Sequence, residues 1–193
     1  MHRLIAFLLL SGVGFVGVQN TPTRSNRTVI VRMEETELTM NPSAGPNNVG
    51  NCLVIEPDGR ARLELRRQEF FNGLASLASY EGKLNPQELE ILRTILDGDA
   101  IRSLPQFVLP ETPMAVDSFH AATAKILRPS GIQEVGYFEW KGKAPANAAT
   151  AGENWSRSAL AMKPLVEWFH SVKSARDRWK RVPNPSSGFC GES

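Results

Sequence analysis

The chain has 193 residues, of which 41% are apolar and 22% are charged. These proportions are ordinary for a globular protein, and the length suits one domain with a real core. With 22 Lys and Arg against 20 Asp and Glu the formal net charge is only +2, so we expect no nucleic-acid partner, and no RNA- or DNA-binding motif is present.

The N-terminus has the pattern of an export signal. Arg3 supplies one positive charge, and an apolar run over residues 4–10 continues more weakly to Val18. This order is typical of a secretory signal peptide, and the run is shorter than the roughly 20 apolar residues that cross a bilayer as a helix. We predict a signal peptide over residues 1–19, without a well-marked cleavage site, and a flexible lead over 20–27. The protein would then be secreted or periplasmic. A membrane anchor formed by the same segment, left uncleaved, is the alternative.

The chain has two cysteines, Cys52 and Cys190. In an oxidising compartment an isolated pair most simply forms one disulfide. Such a bond would tie back the tail, residues 183–193, which otherwise has no reason to be ordered. Two unpaired thiols are the alternative.

The region after the lead is rich in strand patterns. Residues 28–39 alternate partly between apolar and polar side chains, which indicates a first strand facing a core. Residues 41–50 are dense in Asn, Pro and Gly, and they predict a loop. Two β-rich runs, 52–56 and 60–67, flank an Asp-Gly pair, which predicts a hairpin. Residues 68–83 fit either a short helix or a loop packed on the sheet.

A helix start follows this β-rich region. Asn85 is the predicted cap, Pro86 takes the first helical position, and Glu88 stands where a capping-box carboxylate belongs. We expect the helix to end at Gly98 and a one-turn successor to be capped by Asp99.

The second half of the chain predicts another hairpin and a final helix. The hairpin strands are expected over residues 116–127 and 132–140, and the small residues of 141–157 predict a long loop. Apolar residues spaced by four and three over 161–179 predict a helix with one buried stripe. Because proline removes a helical hydrogen bond, we expect this helix to begin at Pro164 or to kink there.

Together these elements predict an α+β fold. The expected architecture is an antiparallel sheet of two hairpins plus an N-terminal strand, covered on one face by two main helices. The predicted single domain extends over residues 28–182.

No catalytic, cofactor-binding or metal-binding pattern stands out in the sequence. His120 and His170 lie far apart without a metal-ligand spacing, so the favoured interpretation is solvated or core histidines. The acidic pair at Asp97 and Asp99 lacks the further positions of a calcium loop, and a helix end followed by a helix start explains it. Nucleophile-elbow and phosphate-loop motifs are absent. We therefore predict no catalytic residue, cofactor or metal.

The clearest surface candidate is the end of the last predicted helix. It combines cations with one aromatic residue, which could bind an envelope protein, a glycan or an anionic membrane surface. Cations at a helix C-terminus also complement its dipole without any partner. The candidate residues are Lys173, Arg176, Arg178, Trp179, Lys180 and Arg181.

Two stretches carry a resemblance to known proteins. One runs Cys-Leu-Val-Ile-Glu-Pro-Asp-Gly-Arg-Ala-Arg-Leu-Glu from Cys52, and the other runs Gly-Lys-Leu-Asn-Pro-Gln-Glu-Leu from Gly82. Over about residues 50–180 the chain resembles uncharacterised exported bacterial proteins, in which a hairpin precedes a helix of this kind. The resemblance implies a bacterial envelope or secreted protein, and it implies no activity and no functional residues.

Two functions are compatible with these observations. The leading hypothesis is a non-catalytic binding or accessory domain of the cell envelope or secreted fraction. The alternative is a hydrolase of unrecognised type that uses acidic residues, since carboxylates distant in sequence can meet in space. Candidate carboxylates on predicted strands are Glu56, Glu64, Asp117 and Glu134.

Overall fold

A computed structural model describes residues 30–41, 45–69, 74–108, 118–140, 149–183 and 190. The predicted signal peptide and flexible lead lie outside these residues. The described residues form seven strands and three α-helices: β1 (Val31–Asn41), β2 (Gly45–Ile55), β3 (Arg60–Glu69), β4 (Leu74–Lys83), α1 (Pro86–Asp97), α2 (Asp99–Arg102), β5 (Ser118–Arg128), β6 (Gly131–Trp140), α3 (Ala149–Ser174) and β7 (Lys180–Val182).

The strands form one open antiparallel sheet in the order β6-β5-β1-β2-β3-β4-β7. The helices pack on one face of this sheet, so the predicted α+β fold is confirmed. The sheet is larger than expected, because β2 extends through the predicted loop and β4 and β7 were not predicted as strands. Within the described residues, no helix is both long enough and apolar enough to cross a membrane.

Alternation along β1 decides which side chains face the helices. Val31 and Met33 are buried on the helix-covered face, and the register places Leu53 of β2 beside Met33. Leu165 and Phe169 of α3 cover them and are themselves buried. Full burial of each such side chain contributes about 1.5–3 kcal/mol, so this face holds the main core.

The start of α1 follows the capping-box prediction. The backbone N–H of Glu88 donates to Asn85 Oδ1 at 2.8 Å, and the backbone N–H of Asn85 donates to Glu88 Oε2 at 2.9 Å. Pro86 occupies the first turn, as expected. The cap of the short helix α2 was wrongly predicted, because Gly98 and not Asp99 is its N-cap residue.

Both predicted hairpins are present. Gly59 has φ +83° in the turn between β2 and β3, and Gly131 has φ +127° at the start of β6. Only glycine adopts such dihedrals without strain, so these two positions localise the turns in the sequence.

The predicted loop over residues 41–50 is wrong at residues 41 and 45–50, whereas 42–44 lie outside the described residues. Residues 45–51 belong to β2 and pair with β1, and from Asn47 onward also with β3. Asn, Pro and Gly have low strand propensity, but ladders on both sides outweigh that preference. Pro46 lies near the strand's first residue, where a missing N–H is tolerated.

Residues 74–83, which fitted a helix or a loop, form strand β4 between β3 and the short β7. The predicted loop over 141–157 is also wrong in its second part, since α3 already begins at Ala149. Alanine is the best helix former, and the helix runs through Pro164 instead of starting there. It ends at Ser174, before the predicted end, and a 3₁₀ turn over Arg176–Arg178 leads into β7.

The disulfide between Cys52 and Cys190 is present, with 6.0 Å between the two Cα atoms. Cys52 pairs in register with Glu64 of β3 on the face opposite the helices. A guanidinium N–H of Arg32 donates to the backbone carbonyl of Cys190. The chain end is therefore fastened to the sheet face that the helices leave uncovered.

Candidate functional site

A buried carboxylate, Glu35, lies at the centre of a polar network on the helix-covered face. The residue is 8% exposed and continues the inward alternation of Val31 and Met33. Its Oε1 lies 3.2 Å from Nε2 of His120 and 2.6 Å from Nε2 of His170. Its Oε2 accepts hydrogen bonds at 3.0 Å from Asn51 Nδ2 and from Lys173 Nζ.

Four elements bring these side chains together. Asn51 of β2 lies directly opposite Glu35 in the register. On the other side of β1, His120 of β5 pairs with Glu37, one inward position farther along. His170 and Lys173 are three residues apart on α3, and residues at this spacing share a helix face. We name these five residues (Glu35, Asn51, His120, His170 and Lys173) the Glu35 network.

The network keeps Glu35 ionised. Burial by itself would raise the pKa of Glu35, but hydrogen bonds from His120, His170 and Lys173, together with the ammonium charge, hold it well below its usual range. The pKa of His120 is raised, chiefly by its hydrogen bond to Glu35, and burial opposes this shift. The carboxylates of Glu139 and Glu37 add to the rise.

Tyr137 of β6 adjoins the network, with its ring centroid 5.6 Å from that of His120. Burial, followed by the charges of Glu139 and Glu35, raises the pKa of Tyr137 to about 12. The phenol therefore stays neutral at physiological pH and can donate or accept a hydrogen bond.

An open groove of about 490 Å³ runs beside the network between α3 and β6. His170 belongs to both the network and the groove, and its side chain is 46% exposed. The groove-lining residues are Tyr137, Glu139, Ser156, Ala159, Leu160, Lys163, Val166, Glu167 and His170. We name this feature the α3–β6 groove.

The hydrogen bonds that Glu35 already makes limit the chemistry that the network can perform. Both carboxylate oxygens of Glu35 already face two partners each, and its pKa lies low, so the group is poorly suited to take or give a proton. Ser156 is no nucleophile for His170, because fourteen residues of helix separate them by about 21 Å. Within the described ranges, no three His, Cys, Asp or Glu side chains are placed to hold a metal ion together.

A second buried carboxylate, Glu64, lies on the opposite face of the sheet. Its side chain is fully buried, and its Oε1 accepts from Nε of Arg66, two residues along β3. Its Oε2 and the hydroxyl of Ser79, which pairs in register with it, find no hydrogen-bond partner among the described residues. Glu64 lines a small cavity of about 60 Å³ beside the disulfide.

Three cations of the predicted basic surface make contacts within the protein. Lys173 belongs to the Glu35 network, Arg176 donates to the backbone carbonyl of Lys173, and Arg178 pairs with Glu88 of α1. Trp179 is 6% exposed and packs so closely on Gly82 that a Cβ there would have no room.

Lys180 and Arg181 of β7 are exposed. Trp179 therefore lies in the core, and the five cations divide between α3, the 3₁₀ turn and the edge strand β7.

The remaining sequence candidates do not converge. Glu56 pairs with Arg60, Glu134 lies 3.8 Å from Lys125, and Asp97 pairs with Arg128. Asp117 lies outside the described residues. Neither Glu35 nor the meeting of His120 with His170 was predicted. The detectable signal was the alternation of β1, since residues 31, 33 and 35 all point inward and only the third is charged.

A comparison with models of protein families finds no match to this chain, and a search of curated proteins finds no relative.

Proposed function

We propose that the protein is an exported, non-catalytic binding domain that holds a segment of a partner protein in the α3–β6 groove. The observation that carries this proposal is the groove itself, an open feature with both polar and apolar lining next to a closed polar network. The other four residues of the Glu35 network contact its carboxylate, and the contact with Glu35 orients His170 at the groove wall.

The shape of the groove favours a chain segment over a small molecule. Its α3 wall extends from Ser156 to His170, about 21 Å of helix. Small-molecule sites are concave and enclose most of their ligand's surface, whereas this groove is open along its length. Leu160 is 75% exposed within it, which gives a partner side chain an apolar contact.

Binding is favoured over catalysis by the state of the Glu35 network. A general acid or base needs an accessible atom and a pKa near the working pH. Glu35 has neither, because its oxygens are occupied and its pKa is far below neutrality. Its role in this proposal is to orient His170 and Lys173.

Export is supported by the N-terminal pattern and by the disulfide. Disulfides persist in oxidising compartments and are rare in the cytosol. In the protein recovered from its native host, the mass should correspond to a chain that has lost about its first 19 residues, as signal peptidase cleavage requires. Recovery of the full-length chain from the membrane fraction would support the uncleaved anchor instead.

Site-specific photocrosslinking tests the binding site. A benzophenone amino acid at position 160 should form a discrete adduct with one partner from the exported fraction. The matched control is the same amino acid at Ile132, which is 67% exposed near the start of β6 and outside the groove. The purified partner should then bind Leu160→Asp at least about tenfold more weakly than the Ile132→Asp control, or about 1.4 kcal/mol.

Three outcomes would count against the groove as the binding site. These are equal adducts from both positions, no adduct from either position, and full affinity of the Leu160→Asp variant. Because both leucine and isoleucine are exposed, neither substitution should disturb the fold.

A further inference from the structure

The groove walls carry exposed carboxylates. The side chain of Glu139 on β6 is 55% exposed, and that of Glu167 on α3 is 65% exposed. Lys163 is the cation nearest to Glu167, with 3.8 Å between Nζ and Oε1, one helical turn away. An exposed ion pair of this kind contributes little to stability, so a cationic partner can replace Lys163 at Glu167.

Lys173 and the two histidines contact Glu35 behind the groove wall. Lys173 lies 3.0 Å from Glu35, and both imidazoles present Nε2 to the same carboxylate. The groove lining carries two carboxylates, Glu139 and Glu167, against one ammonium group, Lys163. The groove lining is therefore acidic, although the whole chain is slightly basic.

Apolar surface lies between these acidic groups. Leu160 is exposed, and Ala159 and Val166 line the same groove. Leu160 and Glu167 are seven residues apart, so they share one face of α3. A partner segment would therefore meet an apolar contact and a carboxylate two turns apart.

We infer that the α3–β6 groove binds a cationic amphipathic segment, with Lys or Arg side chains at Glu139 and Glu167 and an apolar side chain on Leu160. This inference rests on the proposed function and names the chemistry of its partner. Complementary charge across such an interface accelerates association and selects against anionic segments.

Protonation of His120 should weaken this binding. The pKa of His120 is already raised by Glu35, so His120 gains its positive charge before an ordinary histidine does as the pH falls. The charged and titratable groups around it come from three elements: Glu35 and Glu37 from β1, Glu139 from β6, and His170 and Lys173 from α3, which contact the same Glu35 carboxylate. The His120 imidazolium lies 3.8 Å from Glu139 and offsets its negative charge, so a cationic partner should bind more weakly in acid.

Three synthetic peptides of equal length and identical leucine pattern test the charge preference. Their polar positions carry Lys, Gln or Glu, and binding to the mature protein is measured by fluorescence anisotropy at neutral pH and low ionic strength. The Lys peptide should bind most tightly. Glu139→Gln combined with Glu167→Gln should weaken it about tenfold, whereas Glu90→Gln with Asp99→Asn, exposed carboxylates of α1 and α2, should not.

The possible failures can be told apart. If all three peptides bind equally and Leu160→Ser weakens each of them, the groove binds segments but the charge preference is wrong. If the double Gln variant binds the Lys peptide as tightly as the wild type does, the attraction lies elsewhere and the inference is overturned. If no peptide binds, the cationic assignment fails, while crosslinking from position 160 still decides the proposed function on its own.

Discussion

The two faces of the sheet each bury one glutamate, and they satisfy it in different ways. Glu35, on the helix-covered face, faces donors from β2, β5 and α3. Glu64, on the other face, faces one donor from its own strand and has an oxygen without a partner among the described residues. Burial of a charge is costly unless hydrogen bonds replace the lost water. Hydrogen bonds therefore offset the burial of Glu35 more fully than the burial of Glu64.

The difference shows what a packed helix adds to a sheet. On one face α3 brings the His170 imidazole and the Lys173 ammonium group to the Glu35 carboxylate. The network therefore connects α3 with strands β1, β2 and β5. On the other face no described helix residue lines the cavity beside Glu64, and Cys190 is fastened there by its disulfide to Cys52. We therefore expect the Glu35 face to depend on charge and the Glu64 face to depend on the covalent tether.

Removing the disulfide should have the largest effect. A bond between residues 138 positions apart restricts the unfolded chain by about 5 kcal/mol in the chain-entropy treatment, and losses of about 2–5 kcal/mol are typical when a native bond is removed. The Cys52→Ser, Cys190→Ser variant should lose that much free energy of unfolding in urea denaturation. Reduced wild-type protein is the control. A loss below about 1 kcal/mol would show that the tether contributes little.

Glu35→Gln should have the next largest effect. The amide keeps the shape of the side chain but removes the charge to which Lys173 and both imidazoles donate, and hydrogen bonds to charged groups are worth about 1.5–3 kcal/mol. We expect a loss of about 2–3 kcal/mol in the free energy of unfolding.

The matched variant Glu64→Gln should cost less than about 1 kcal/mol, because Arg66, its one partner among the described residues, is half-exposed and can return to water. Equal losses for the two variants would contradict the difference between the two faces.

The pH dependence of stability should give the smallest effect and the clearest sign. The folded pKa of Glu35 is lowered, so its contribution is present above the ordinary value of 4.5 and is lost as the pH falls below it. The folded pKa of His120 is raised, so its contribution is present below 6.5 and is lost as the pH rises above it.

The stability difference between wild type and Glu35→Gln should therefore be largest between about pH 4.5 and 6.5. Urea denaturation across a pH series measures it. A difference that does not vary with pH would show that the network is not titrating.

Local features were predictable where one or two residues carry the signal. The capping box needs only Asn85 and Glu88, and the hairpin turns need only a glycine that tolerates positive φ. The disulfide followed from the presence of only two cysteines. The capping box and the turns depend on residues close together in the sequence, and the disulfide depends on the number of cysteines.

Extended features were mispredicted where neighbours overrule local preference. Residues 45–50 look like a loop but pair with β1, and from Asn47 onward also with β3. Residues 149–157 look like a loop because their small side chains show no apolar stripe. Trp179 was a surface candidate because cations flank it in the sequence, but the helix ends at Ser174 and the buried ring packs on Gly82. Propensity is a weak preference that tertiary packing outweighs.

By itself the sequence determined the α+β class, the alternation of β1, the start of α1 and the pairing of the cysteines. The sheet order, the extent of β2 and α3, and the Glu35 network were decided only by the tertiary structure. The reason is distance along the chain: Glu35 lies 85 residues from His120 and 135 from His170. No local periodicity relates positions so far apart, and only the packing of α3 across β1 and β5 brings their side chains to one carboxylate.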